Sequence, residues 1–140
     1  MIDQSEIIKL RIEKAKKLLS EVDPLMKLQF YTTVINRLYY SCFHATSALL
    51  LTKNIAAKTH KGVATMLNLQ FVKTGEFETT KAAFFVDLLK ERIRDDYNEF
   101  LIMDEEEITE FIKPAFEYVE YVSKLIEKYF DAQRTNSTSE

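Results

Sequence analysis

The sequence predicts an all-α protein, an antiparallel up-and-down bundle of four or five helices. Only two glycines and two prolines occur in 140 residues, well below the roughly 7% and 5% of an average protein, so turn signals are scarce. Apolar residues recur at the three-and-four spacing of an α-helix over most of the chain. Residues that can cap helices precede several of these periodic segments.

The N-terminal half predicts two long helices. The first spans residues 4–21, with Asp3 as its N-cap. A second N-cap, Asp23, is followed by Pro24 at a position suited to the first turn, so the second helix begins there or one turn later and continues to Lys53. At 1.5 Å per residue this helix would be ~45 Å long. The apolar stripe of the first helix is Ile8, Ile12, Ala15, Leu18, Leu19 and Val22.

Two further helices follow a short connection. Thr59 is a suitable N-cap for a short third helix over residues 60–71, and Gly75 marks the loop after it. The fourth helix is predicted over residues 80–103. Its core candidates are Phe85, Leu88, Leu89, Ile93 and Phe100.

The last helix has a clear start and a long apolar period. Asp104 caps it, and three glutamates occupy its first turn, where the helix dipole favours carboxylates. Pro114 should kink this helix or mark its true start. Residues 133–140 are polar and lack periodicity, so we expect a disordered tail after one domain over residues 1–132.

Composition excludes several functional classes. The net charge of −3 argues against sequence-independent DNA binding, although a local basic groove can still bind RNA. Charged residues interrupt the N-terminal segment, and the longest apolar stretch is far shorter than the ~20 residues of a membrane span, so we expect no signal peptide, no membrane partner and a cytoplasmic protein. The single Cys42 fits a reducing compartment. Two histidines without a ligand-spaced cluster predict no metal and no cofactor.

The second helix carries polar side chains on one face. Arg37, Tyr40, His44 and Ser47 follow helical spacing and form one stripe, while apolar residues form another stripe around the same helix. Such a helix either buries a polar network or presents a site. The apolar stripe consists of Ile35, Leu38, Cys42, Ala45 and Leu49.

Three segments stand out in this order: NRLYYSCFHATSALL (36–50), THKGVATMLNLQFVKTG (59–75) and ERIRDDY (91–97). Their order and spacing resemble the HEPN domain family, specifically its small stand-alone prokaryotic branch. The resemblance covers roughly residues 4–130. It implies a helical bundle that is commonly dimeric. It also implies either a metal-independent ribonuclease or a non-catalytic partner of a minimal nucleotidyltransferase in a toxin–antitoxin pair.

The chain departs from the family pattern at the ribonuclease motif. Active members carry an arginine and then a histidine with four to six residues between them, usually on a later helix, but no histidine follows Arg92 or Arg94 here. Arg37 and His44 have six residues between them and satisfy the spacing on the second helix instead. They are therefore the candidate catalytic pair, His44 for proton transfer and Arg37 for charge stabilisation on phosphorus.

The alternative for the same residues is structural. Arg37 would face the fourth helix and pair with a carboxylate there, for which Asp96 is the best placed. The polar network would then consist of Asn36, Tyr40, Arg92, Asp96 and Tyr97, together with Arg37 and His44.

His60 and Lys61 open the short third helix and are candidates for binding a nucleotide or RNA phosphate. The alternative is that His60 caps this helix or packs on the second helix.

Two functions thus remain open: an interaction module that works with a nucleotidyltransferase partner, and an endoribonuclease using Arg37 and His44 at a homodimer groove. The sequence identifies neither the RNA or nucleotide target nor the protein partner.

Overall fold

The computed structural model describes the backbone of residues 3–97 and 103–138, and the side chains of residues 3–94 and 103–135. These ranges contain helices and no strand, which confirms the predicted all-α bundle. Four helices are long and two are short. They are α1 (Gln4–Ser20), α2 (Val22–Lys27), α3 (Tyr31–Leu51), α4 (His60–Leu67), α5 (Thr79–Tyr97) and α6 (Glu105–Thr138).

Helix α3 forms the centre of the bundle and packs against each of the other five. Its predicted apolar stripe is buried from Ile35 to Leu49. One polar contact inside the bundle joins α3 to α6: the Thr46 hydroxyl donates to the Cys42 carbonyl and lies 2.6 Å from the Tyr118 hydroxyl of α6. Because an unbonded buried hydroxyl would be costly, this bond fixes how α6 packs on α3.

Three helix starts follow the sequence prediction. Asp3 accepts a hydrogen bond from the Glu6 amide at 3.0 Å. Thr59 accepts from the Gly62 amide at 2.9 Å, and Asp104 accepts from the Glu107 amide at 2.8 Å. Each cap satisfies one amide that the first turn leaves unpaired. The loop position of Gly75 is also confirmed, with a φ of 81°.

The single helix predicted from Asp23 to Lys53 is wrong in its first part. Asp23 lies inside α2 and pairs with Lys27 at 3.2 Å instead of capping a new helix. The chain then leaves helical geometry at Gln29, whose φ is 62°, before α3 begins at Tyr31. A left-handed residue redirects the backbone here, so α2 and α3 are separate helices.

The C-terminal helices differ from the prediction at their ends. Helix α4 continues as a π-helical segment over Asn68–Val72. Residues 98–102 of the predicted fourth helix, which include Phe100, lie outside the described residues. Helix α6 runs through Pro114 without ending and extends to Thr138, so residues 133–138, predicted as part of a disordered tail, are helical in this structure.

Candidate functional site

Arg37 is bound at the junction of α1 and α2. Its Nε donates to the Glu21 carboxylate at 2.9 Å, and its Nη1 donates to the Asn36 side-chain oxygen at 3.0 Å. Both partners of the ion pair are partly exposed, with 34% of the Arg37 side chain and 40% of the Glu21 side chain accessible. The prediction that Arg37 pairs with a carboxylate of the fourth predicted helix is therefore wrong. The carboxylate that binds Arg37 belongs to Glu21, at the end of α1.

Arg92 of α5 lies against the polar face of α3. Its guanidinium carbon is 5.4 Å from the ring centre of Tyr39 and 5.1 Å from that of Tyr40. One Nη2–H donates to the Tyr40 hydroxyl at 3.0 Å. Cation–π contacts of this kind contribute about 0.5–2 kcal/mol each, more when water is excluded. Arg92 thus joins α5 to α3 at the position that the sequence had suggested for Arg37.

His60 packs on the same tyrosines from the start of α4. The Tyr39 hydroxyl lies 2.7 Å from His60 Nδ1, and Phe43 is in ring contact at 4.8 Å. Burial keeps Tyr39 protonated by raising its pKa. Among the described residues this hydroxyl has no other acceptor, so it donates to Nδ1 and the imidazole proton stays on Nε2. Burial and the nearby Arg92 both lower the pKa of His60.

His44 has a different environment from His60. It contacts the rings of Phe43 and Tyr40 at 5.6 and 6.2 Å, and no hydrogen bond to its ring occurs among the described residues. Burial, followed by the charges of Lys14 and Arg11 on α1, lowers its pKa to about 4. His44 is therefore neutral at pH 7, and its charged neighbours belong to α1.

The structure consequently separates the predicted catalytic pair. Arg37 belongs to a cluster at the C-terminal end of α1. His44 lies beside Lys14 and Arg11, which are nearer the start of α1. The two are seven residues apart on one helix, or ~10 Å along its axis. Among the described side chains, none contacts both Arg37 and His44.

The remaining predicted residues have varied outcomes. Tyr40 and Arg92 are bonded to each other, as expected of a polar network, and Asn36 belongs to the separate Arg37 cluster. The side chains of Asp96 and Tyr97 lie outside the described residues. Lys61 is exposed beside His60. In the described part of the chain, no three His, Cys, Asp or Glu residues come together as a metal site.

Sequence reasoning missed two contacts at the centre of this arrangement. It did not pair Tyr39 with His60, and it did not identify Glu21 as the partner of Arg37. The adjacent tyrosines between Arg37 and His44 were the available signal, because a fully buried Tyr39 needs a partner for its hydroxyl. We refer to Tyr39, Tyr40, His60 and Arg92 below as the tyrosine cluster.

The fold and the tyrosine cluster define a small helical domain whose polar centre is assembled from α3, α4 and α5. The chain belongs to the HEPN domain family, whose model matches residues 8–127. This confirms the resemblance that the three sequence segments indicated. No described helix is both long enough and apolar enough to cross a membrane.

Several prokaryotic proteins are similar over most of the chain. A "UPF0332 protein" of Thermotoga maritima is 32% identical over 127 residues, which are 91% of this chain and 96% of that protein. "Putative toxin MJ0605" of Methanocaldococcus jannaschii is 33% identical over 126 residues, 90% of this chain and 93% of the relative. A second protein of that archaeon, "Putative toxin MJ0142", is 37% identical over 96 residues, 69% of this chain and 65% of the relative.

Proposed function

We propose that this chain is the HEPN-fold member of a cytoplasmic toxin–antitoxin pair and works as an interaction module with a nucleotidyltransferase-type partner protein. The toxin association is supported by the two relatives whose names read "Putative toxin". The partner class follows from the resemblance described above, in which non-catalytic members work with minimal nucleotidyltransferases.

The observation that carries the non-catalytic role is the ion pair between Arg37 and Glu21. A guanidinium that stabilises charge on phosphorus must direct its donors at the substrate. The Nε of Arg37 is instead 2.9 Å from a carboxylate of its own chain, and its Nη1 is bonded to Asn36. His44, at the other end of the candidate pair, is neutral with a pKa near 4, which makes it a weak base at pH 7.

Exposed apolar side chains support an interaction role. Leu28 and Phe30 flank the turn between α2 and α3 and are 61% and 53% exposed, and Phe116 on α6 is 43% exposed. Large apolar groups in water favour contact with another protein surface.

We propose that the chain also forms a homodimer, for which light scattering should give twice the 16.4 kDa of one chain. A mass equal to one chain at micromolar concentration would contradict the dimer.

The first test of the proposed function is the neighbouring open reading frame, for which we expect a small nucleotidyltransferase-type protein. The second test is expression of this chain in a bacterial host, with and without that protein. We expect growth inhibition that the partner relieves, and the same inhibition from Arg37→Gln and His44→Gln, provided that both variants fold. The matched control is Lys113→Gln, an exposed cation on α6.

The alternative function, an endoribonuclease using Arg37 and His44, predicts the opposite pattern. Folded Arg37→Gln and His44→Gln chains would then no longer inhibit growth. The purified wild-type chain would also cleave RNA in the presence of a metal chelator. These two results together would overturn the proposed interaction module. Binding of the partner without relief of growth inhibition would overturn the toxin–antitoxin pairing.

A further inference from the structure

Helices α1 and α6 enclose a groove on the outside of the bundle. Two cavities, of about 620 and 270 Å³, make up this groove, and both are lined by Lys9, Glu127 and Phe130. Its floor is apolar, because Ile12 and Phe130 are only partly buried there. The ammonium group of Lys9 lies 5.6 Å from the centre of the Phe130 ring. The groove is separate from the tyrosine cluster and from the Arg37 ion pair, which do not line it.

The two walls of the groove carry opposite charges. The α1 wall has two cations, Lys9 and Lys16, and one carboxylate, Glu13. Over its whole length α1 has five cations and two carboxylates, whereas α6 has eight carboxylates and four cations. Glu127 lines the groove from α6, and Glu120 lies two turns before it on the same stripe of that helix. The face therefore has a basic side beside an acidic side.

These charges are available to another surface. Lys9, Lys16 and Glu127 are exposed, and none of them forms an ion pair with a described residue. Glu120 lies 3.8 Å from Lys124 on its own helix, and both side chains are more than half exposed. An ion pair of that kind is solvated by water and contributes little, so it does not hold Glu120 back from a second partner.

A face with a basic wall beside an acidic wall is complementary to itself. In a two-fold symmetric contact the same patch of both copies meets across the axis. When the axis runs along the groove, the α1 wall of one copy lies opposite the α6 wall of the other, and unlike charges meet. When the axis runs across the groove, like walls meet and repel each other. Charge complementarity therefore selects a second copy of this chain, in the first orientation.

We propose that two copies of this chain associate through the α1–α6 face, with the two-fold axis parallel to the groove. Lys9 then faces Glu127 of the partner subunit, and Lys16 faces Glu120 of the partner subunit. The apolar floor and Phe116, which is 43% exposed one turn before Glu120, supply the apolar contact that such an interface needs. This inference rests on the homodimer of the proposed function and names its interface. The polar face of α3 stays free for a different protein.

Charge reversal tests how the walls pair. Lys9→Glu with Lys16→Glu makes both walls acidic, and Glu120→Lys with Glu127→Lys makes both walls basic. In sedimentation velocity each double variant should dimerise at least about tenfold more weakly than the wild type, because like charges then face each other. All four side chains are exposed, so circular dichroism should show an unchanged fold. An equimolar mixture of the two variants should restore the dimer, since every contact then joins unlike charges. Dimerisation of either variant as tight as that of the wild type, or no restoration in the mixture, would overturn the α1–α6 interface.

Matched variants outside the groove are the controls. Lys61→Glu with Lys73→Glu changes the net charge by the same amount at two other exposed lysines and should leave the dimer intact. Phe116→Ser should weaken the dimer several-fold, whereas Leu69→Ser, at an apolar side chain that is also 43% exposed, should not. Dissociation by the control lysine pair, or equal effects of the two serine variants, would contradict the proposed face.

The wild-type chain separates this inference from the proposed function. A several-fold rise in salt concentration should weaken its dimer, because salt screens exposed charges, and an equal or tighter dimer would overturn the charge pairing. A monomer at micromolar concentration would overturn both this interface and the proposed homodimer. A dimer that no wall substitution weakens would overturn the interface alone. The growth assay with the nucleotidyltransferase-type partner is independent of all these results.

Discussion

Arg37 and Arg92 are held in opposite ways. Arg37 is on α3 itself and is bound by the partly exposed carboxylate of Glu21 at 2.9 Å. Arg92 approaches from α5 and lies across two aromatic rings, one of them fully buried. An exposed ion pair contributes little because water solvates both partners in the unfolded chain. A cation packed on aromatic rings also contributes apolar contact, so Arg92 should stabilise the fold more than Arg37 does.

The largest effect is expected at Arg92. Arg92→Ala removes two cation–π contacts and the hydrogen bond to Tyr40, and should lower the free energy of unfolding by about 2–3 kcal/mol. Urea denaturation measures the change. Arg94→Ala, two residues along the helix and exposed, is the control and should cost less than about 0.5 kcal/mol. Equal losses for the two variants would show that the contacts of Arg92 with the tyrosine rings do not stabilise the fold.

The next effect concerns pH and His44. The pKa of this side chain is about 4 in the folded chain, against ~6.5 when unfolded. A group whose folded pKa is lowered contributes stability that is present above the unfolded pKa and is lost as the pH falls through the folded pKa. Stability should therefore fall between pH 6.5 and about 4, by up to about 2 kcal/mol after allowing for partial exposure.

His44→Gln is the variant that isolates this titration. It should make denaturation midpoints depend less on pH within that window, since glutamine does not titrate. His60→Gln provides the comparison, because the pKa of His60 is also lowered but the side chain is less buried. A pH profile of His44→Gln identical to the wild type would show that another group titrates there.

A smaller effect is expected from the hydroxyl of Tyr39. Tyr39→Phe keeps the ring contacts and deletes only the bond to His60, which should cost about 1 kcal/mol. Tyr121→Phe, which loses a hydroxyl bonded to the exposed amide of Glu78, is the control and should cost less. Both are measured by thermal denaturation. An unchanged stability of the Tyr39→Phe variant would show that the hydroxyl bond to His60 does not help to hold α4.

The extent to which sequence predicted this molecule depends on how local each interaction is. The caps Asp3, Thr59 and Asp104 bond to amides three residues ahead, so their pattern is visible in the sequence. The break at Gln29 was not predicted, because glutamine rarely adopts positive φ and gives no signal of a turn. Helical spacing likewise predicted which residues of α3 share a face, but it carries no information on which helix lies opposite.

The partners across that face could not be predicted for the same reason. Glu21 bonds to Arg37 from 16 residues away, and His60 bonds to Tyr39 from 21 residues away. Glu21 looked like the last residue of an ordinary amphipathic helix, and only the turn after α2 brings it to Arg37. The long-range contact of Arg92 with Tyr40 was within the predicted set, because the family resemblance supplied the neighbouring helix.

The most direct test of the account is a pair of double-mutant cycles on the free energy of unfolding, one for each arginine. One cycle combines Arg92→Ala with Tyr40→Phe, and the other combines Arg37→Ala with Glu21→Ala. We predict a coupling energy of about 1 kcal/mol or more for Arg92 with Tyr40, and less than about 0.5 kcal/mol for Arg37 with Glu21. The reverse order would contradict the claim that Arg92, and not Arg37, organises the polar centre of this domain.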